Sequence, residues 1–422
     1  MKKYIRSIAA CLMAVMMLCL CLSSCVGGGN EGPASLEEEL ANGAKLSILI
    51  PGHNSKSTNA EFWQNPVVKQ FAEDYPELNV EWVTAGWDAW ETKLLATISA
   101  NDPVDVLNDG VNNNPKFAIK GITQPLNDYV NLENPNLHLN TMNSVFCYGG
   151  DYYVAVSETN VAAVYYNKYL FENAGLTTPT ELYENGNWNW TTFVDAAKKL
   201  TSEKDNRAGF ACNYPYILFG ANGTSVLKLD EEFKYSLNIE SEPMKHALEL
   251  IQDGWYTSKW QHWEGDPWSA FYNGSAAMLC DFQWVEKNII DAATYGLVDF
   301  EYGVVPVPFG PDNSEGLSPI HAAGWAIVAG SDCPHAAGIL IDRLVDGHAA
   351  YQAETNKGLP EANVALYKQL AQKGYCTNSY DSAVGGAFEL FGALTEGKSI
   401  SQAIAELKPV YQTKVDDANE KN

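Results

Sequence analysis

NPVVKQFAEDYPELNVEWV, Asn65 to Val83, places a helical pattern and a strand pattern back to back. Val67, Val68, Phe71, Ala72 and Tyr75 recur at helical spacing, and Asn65-Pro66 reads as an N-cap followed by proline at the first position. Pro76 cannot continue the helix, and NVEWV (Asn79–Val83) then reads as a strand. Upstream, KLSILI (Lys45–Ile50) forms an earlier strand closed by Pro51-Gly52-His53-Asn54. Downstream, Asp88 is placed to cap a helix carrying Trp90, Leu94 and Ile98 on one face, and Asp105-Val106-Leu107 makes a short buried strand. Strand and helix alternate, which predicts an α/β fold with a largely parallel sheet.

The alternation continues along the 422 residues. Tyr152–Val156 and Ala162–Tyr166 read as strands, Lys168–Ala174 as a helix closed by Gly175, and Thr191–Leu200 as an amphipathic helix. A region rich in tryptophan and glycine follows Asn206. Tyr302–Pro306 and Trp325–Ala329 read as further strands, and the C-terminal hundred residues as mainly helical. Neither a repeat nor a linker separates two independent units, as expected of two lobes built from interleaved segments.

The N-terminus sets the compartment. Lys2, Lys3 and Arg6 precede the uncharged run Ile8–Leu22, a secretory pattern shorter than the roughly 20 apolar residues of a membrane span. Leu22-Ser23-Ser24-Cys25 resembles the lipobox of bacterial lipoproteins, which makes 1–24 a signal peptide and Cys25 a lipidated tether. Residues 25–44, rich in Gly, Glu, Asn and Ala, read as a flexible spacer. Its G-x-G-x-x-G (Gly27, Gly29, Gly32) follows no strand, which excludes a nucleotide loop. A net charge of −25 makes nucleic acid and anionic lipid poor partners. Beyond Cys25, Cys147, Cys212, Cys280, Cys333 and Cys376 remain, an odd set without C-x-x-C, better read as free thiols than as a disulfide framework or zinc site. No metal or cofactor is expected.

A set of motifs across most of the chain resembles the extracellular solute-binding proteins of ABC importers, in the branch that includes maltose-binding protein. They include FAEDYPELNVEW (Phe71–Trp82), KLLATISANDPVDV (Lys93–Val106), VYYNKYLFENAGL (Val164–Leu176), FYNGSAAM (Phe271–Met278), YGVVPVPFGPD (Tyr302–Asp312) and GWAIVAGS (Gly324–Ser331). The resemblance implies a two-lobed periplasmic-binding-protein-like fold of type II, with ligand held in a cleft between the lobes. It places residues 45–156 and about 307–352 in the N-terminal lobe, and about 157–303 and 353–422 in the C-terminal lobe. It further implies a monomeric receptor that closes on a carbohydrate at the extracellular face of the bacterial cytoplasmic membrane and hands it to ABC permease subunits.

A sugar needs aromatic platforms for its C–H faces and bidentate polar partners for its hydroxyls. By resemblance, Trp284 is the stacking ring, with Asp281 its polar neighbour. Asp109 faces the cleft from the first lobe, and either Glu158 or Asn160 contributes from the first crossover. His321 and Trp325 flank the return strand, and His53, Asn54 and Trp87 lie near the carboxyl end of the first strands, where open α/β sheets bind ligands. Trp90 falls on an apolar helix face and reads as core. Trp255, Trp260, Trp263 and Trp268 either extend the platform or pack helices. The chain departs from the maltose-binding pattern at Asp381–Phe391, where only Phe388 and Phe391 can supply the last aromatic.

Three other readings stay open. A polyamine fits acidic and aromatic residues in the same fold. A glycan-active enzyme needs a carboxylate pair at fixed separation, which 52 acidic residues cannot identify, and neither G-x-S-x-G nor H-E-x-x-H occurs. A glycan-capturing adhesin needs no transporter. Tyr152-Tyr153 and Tyr165-Tyr166 suggest iron only on paper, since neighbouring strand residues face opposite ways.

Overall fold

The computed structural model describes residues 35–52, 63–110, 113–230, 232–261, 265–376 and 381–420. Cys25, His53, Asn54 and Trp263 lie outside them. After a short helix α1 (Leu36–Ala41), the chain runs through β1 (Lys45–Pro51), α2 (Gln64–Asp74), β2 (Asn79–Ala85), α3 (Trp90–Ser99) and β3 (Val106–Gly110). β1 lies between β2 and β3, parallel to both. Its alternating side chains feed two layers. Leu46, Ile48 and Ile50 pack with Val68 and Phe71 of α2, while Leu49 packs with Leu94 of α3, so this strand is buried on both faces as parallel strands are.

The helix starts differ from the sequence expectation. α2 begins at Gln64 with Trp63 in the cap position, and α3 begins at Trp90 after Ala89, neither with a side-chain cap. Pro66 still falls in the first turn, where a missing N–H costs nothing. Trp90 is partly buried against Phe117, as expected of a core-side residue.

The chain then enters β4 (Ala155–Asn167), which replaces the two separate strands expected there. Helix α4 (Trp190–Leu200) is capped by Asn189, whose side chain accepts from the N–H groups of Thr191 and Thr192. Next come β5 (Ala211–Cys212), β6 (Met278–Phe282), α5 (Trp284–Thr294), β7 (Tyr302–Pro306) and β8 (Ser318–Val328). The described residues then run through helices α6 (Pro334–Asn356), α7 (Glu361–Ala371), α8 (Phe388–Thr395) and α9 (Ile400–Asn419).

The strand order is β2-β1-β3-β8-β4-β6-β5, with β7 also paired to β4. β4 is the shared element. Its first half pairs antiparallel with β8, and its second half with β6 and β7. Val161, Ala163 and Tyr165 enter one core, while Ala162, Val164 and Tyr166 enter another. This burial leaves Tyr165 and Tyr166 in packing roles. A register shift in the β4–β8 pairing falls between Ala323 and Gly324, opposite Glu158 and Val156.

Two expectations need correction. The spacer does not run unbroken to residue 44, because Ser35 caps α1 and Glu39 is fully buried. The Glu39 carboxylate accepts from the backbone N–H groups of His335 (2.9 Å) and Ala336 (2.8 Å), filling the otherwise uncapped start of α6. The return to the first sheet also begins later than residue 307. Phe309 and Gly310 bond to Trp190 and Ala221, and Asp312 to Asn222 and His246, all beside the second set of strands. Cys147, Cys212, Cys280, Cys333 and Cys376 are free thiols.

Candidate functional site

Asn160 of β4 stands directly opposite His321 of β8, so their side chains share one face of the sheet. Two residues earlier on that face, Glu158 accepts a hydrogen bond from the Asn160 amide. The other Glu158 oxygen lies 3.6 Å from Nε2 of His348, a buried residue of α6. His348 Nδ1 is 2.8 Å from the Ser157 carbonyl, which can only accept, so this nitrogen carries the proton. Trp63 packs against His348 at 5.2 Å and stacks on Tyr351 at 6.1 Å.

An aromatic wall continues from His321. Trp284 is the first residue of α5, whose start hangs from β4 through a 2.9 Å bond from Gln283 N–H to the Val161 carbonyl. Its half-buried indole meets His321 edge-on at 5.2 Å and tilts on Phe282 at 4.9 Å. Tyr214 meets Trp284 edge-on at 6.4 Å, Tyr216 lies 5.5 Å from Tyr214, and Phe388 of α8 meets Tyr216 at 6.2 Å. Phe388 remains 50% exposed. His321 Nδ1 is buried without a hydrogen-bond partner among the described residues. Desolvation pulls this imidazole below the usual histidine range, and the Glu158 charge opposes the shift.

Other expected contacts are spent inside the protein. Asp281 is fully buried on β6, where its carboxyl accepts from Trp268 Nε1 (2.7 Å) and the Phe282 N–H (2.6 Å). Burial pushes this carboxyl up to about 7. Asp109, at the end of β3, is also fully buried and accepts from the amides of Asn113 (3.1 Å) and Asn114. Desolvation raises it to about 7. Asp109 braces its own loop, and Asp281 ties β6 to the helix Pro267–Tyr272. Trp325 lies on an interior strand between β3 and β4 and is 1% exposed, which makes it core.

Trp87 does project, at 77% exposure. Its indole lies over Gly52, where a Cβ would come within 2.3 Å of Nε1, so the absent side chain makes room for the ring. Of the tryptophan-rich stretch, Trp260 is buried core, Trp255 packs on Phe391, and Trp268 holds Asp281. Sequence reasoning passed over Trp63, Tyr214, His348 and Tyr351. Trp63 stands just before a helix and His348 within one, positions that carry no local binding signal.

A groove of about 1150 Å³ opens elsewhere, lined by Lys168, Glu181, Tyr302 and Asn363 among others. It contains none of the residues above. The aromatic wall beside Glu158 and Asn160 is the better candidate, because there rings and hydrogen-bonding groups converge where β4 and β8 cross between the strand sets. Among the described residues, no group of His, Cys, Asp and Glu is arranged to hold a metal ion.

Residues 54–342 match the family model described as bacterial extracellular solute-binding protein. A Brucella abortus protein designated a binding protein is 26% identical over 259 residues, 59% of this chain and 60% of its own length. The chain therefore aligns with less than two thirds of that relative. An ABC substrate-binding protein from Listeria monocytogenes, solved in complex with cycloalternan, superposes with a TM-score of 0.68 at 20% identity over 89% of this chain and 98% of the other. UgpB from Mycobacterium tuberculosis, solved with glycerophosphocholine, gives 0.68 at 18% identity over 88% and 98%. At these identities the likeness carries the fold.

Proposed function

From the chain's membership of the bacterial extracellular solute-binding protein family, we propose that it is a carbohydrate receptor of an ABC importer. It captures an oligosaccharide between two lobes and presents it to the permease, with no chemistry on the ligand. One observation carries the choice of ligand. The half-buried Trp284 meets His321 and Tyr214, with Asn160 and Glu158 in line, and none of these side chains is lysine or arginine.

Rings suit the C–H faces of a sugar, and the carboxylate, amide and imidazole suit its hydroxyls. A phosphate-bearing solute would find no full cation in this group. Phe388, half-exposed beyond Tyr216, extends the platform toward a second or third sugar unit. In this reading Phe388 supplies the platform's last aromatic ring, while Phe391 packs on Trp255. Closure would turn on β4 and β8, which connect the strand sets.

Cys25 would tether the receptor at the extracellular face. The docking of Glu39 on α6 then sets where the spacer leaves the body. The receptor acts as a monomer.

The test is a thermal-shift screen of residues 35–422 against mono- and oligosaccharides, polyamines and glycerophosphodiesters. A bound solute at 100 times its Kd adds about 2.7 kcal/mol of stability. A shift with a sugar that disappears in Trp284→Ala supports the reading. A shift with spermidine alone transfers the site to a cation held by Glu158 and the rings.

A further inference from the structure

We propose that Glu286 is the positioning residue for the Trp284 platform, an inference that rests on the receptor reading above. Glu286 lies two residues after Trp284 in the first turn of α5. Two residues turn a helix by about 200°. With Trp284 facing His321 and Tyr214, Glu286 therefore faces inward.

Inside, it is fully buried and accepts three hydrogen bonds. Tyr302 Oη of β7 lies 3.0 Å from Oε1. Asn363 Nδ2 and Tyr367 Oη, four residues apart on α7, reach Oε1 and Oε2 at 2.5 Å each. Tyr367 Oη also lies 3.2 Å from Tyr165 Oη on β4.

No lysine or arginine pairs with Glu286 among the described residues. The carboxylate is therefore held by directional hydrogen bonds from two separate elements, which fix its orientation as a point charge would not. An apolar side chain could fill the same volume with equal stability, but it would leave the first turn of α5 held at Gln283 and able to roll about that bond. Because Trp284 sits on that turn, a small roll displaces the indole from the wall formed by His321 and Tyr214. The receptor's own ring geometry is thus set from behind, by α7 and β7.

The experiment uses 5-fluorotryptophan-labelled protein, with the Trp284 ¹⁹F line identified by its loss in Trp284→Phe. Tyr367→Phe and Glu286→Gln keep shape while removing or altering the directional bonds. Glu286→Leu fills the site and removes them. In the ligand-free protein, Tyr367→Phe and Glu286→Leu are expected to shift or broaden the Trp284 line while the lines of the core residues Trp190 and Trp260 stay in place. Affinity for whichever linear gluco-, manno- or galacto-oligosaccharide the wild type binds falls about tenfold, with partial recovery in Glu286→Gln. A Trp284 line unmoved in both variants overturns the proposal, even if their melting temperatures drop. If the wild type binds no sugar, the carbohydrate reading falls, and the ligand-free ¹⁹F spectra still decide the role of Glu286.

Discussion

Two sets of side chains meet at the candidate site, and they differ in what they have left to offer a ligand. Those brought by β4 and α6 are polar and already engaged, Glu158 by Asn160 and His348. Those brought by α5, α8 and the Tyr214 loop are rings with apolar area still uncovered, Trp284 in part and Phe388 at half exposure. A ligand must exchange hydrogen bonds with the first set, at little net gain. It covers area on the second, at about 25 cal/mol per Å². Affinity should therefore come from the rings and selectivity from the polar groups.

The largest expected effect tests whether the internally engaged carboxyls are as dry as their burial indicates. Asp281, folded, sits at about 7, against about 3.9 in the unfolded chain. Folding therefore binds a proton between those values. The contribution is fully present below about pH 4, declines as pH rises, and is lost above about 7. Chemical denaturation of wild type and Asp281→Asn at pH 4.5 and 7.5 should show their difference in unfolding free energy changing by on the order of 3–4 kcal/mol. A constant difference would mean that Asp281 stays ionised and that water reaches it.

Trp284→Ala comes next. Removing the ring should cost about 1.5–3 kcal/mol of binding, or roughly 10- to 150-fold in Kd by calorimetry. An intact affinity would break the division of labour outright. Phe388→Ala sharpens it: about 1 kcal/mol lost for a tetrasaccharide and nothing for a monosaccharide places the ring at an outer sugar unit. The smallest effect belongs to Glu158→Gln, which keeps an acceptor for Asn160. Sugar affinity should change by less than about threefold, whereas a tenfold loss for spermidine would identify a cation site instead.

How much of this was legible depends on the range over which each signal acts. The alternation of apolar residues in KLSILI places Leu46, Ile48 and Ile50 on one face and Leu49 on the other, and the structure divides them in that way. Trp284, picked out by resemblance, lies on the wall. Asp281 and Trp325, also candidates from the sequence, are buried, since a strand's position within its sheet is a long-range property. The caps expected at Asn65 and Asp88 differ for a nearer reason: the helices begin at Gln64 and Trp90, so Asn65 falls inside the first turn and Asp88 one residue before the cap position.

The order of strands and helices and the acidic character of the chain follow from the sequence alone, because periodicity, proline and charge act over a few residues. The convergence of Trp63, Tyr214, His348 and Phe388 on the β4–β8 crossing follows only from the tertiary structure, as does the hold of α7 and β7 on Glu286. Most of those contacts join residues far apart in the chain, as Asn363 and Tyr367 are from Glu286. No local preference encodes them, and they exist because two sets of strands share β4 and must bury both its faces at once.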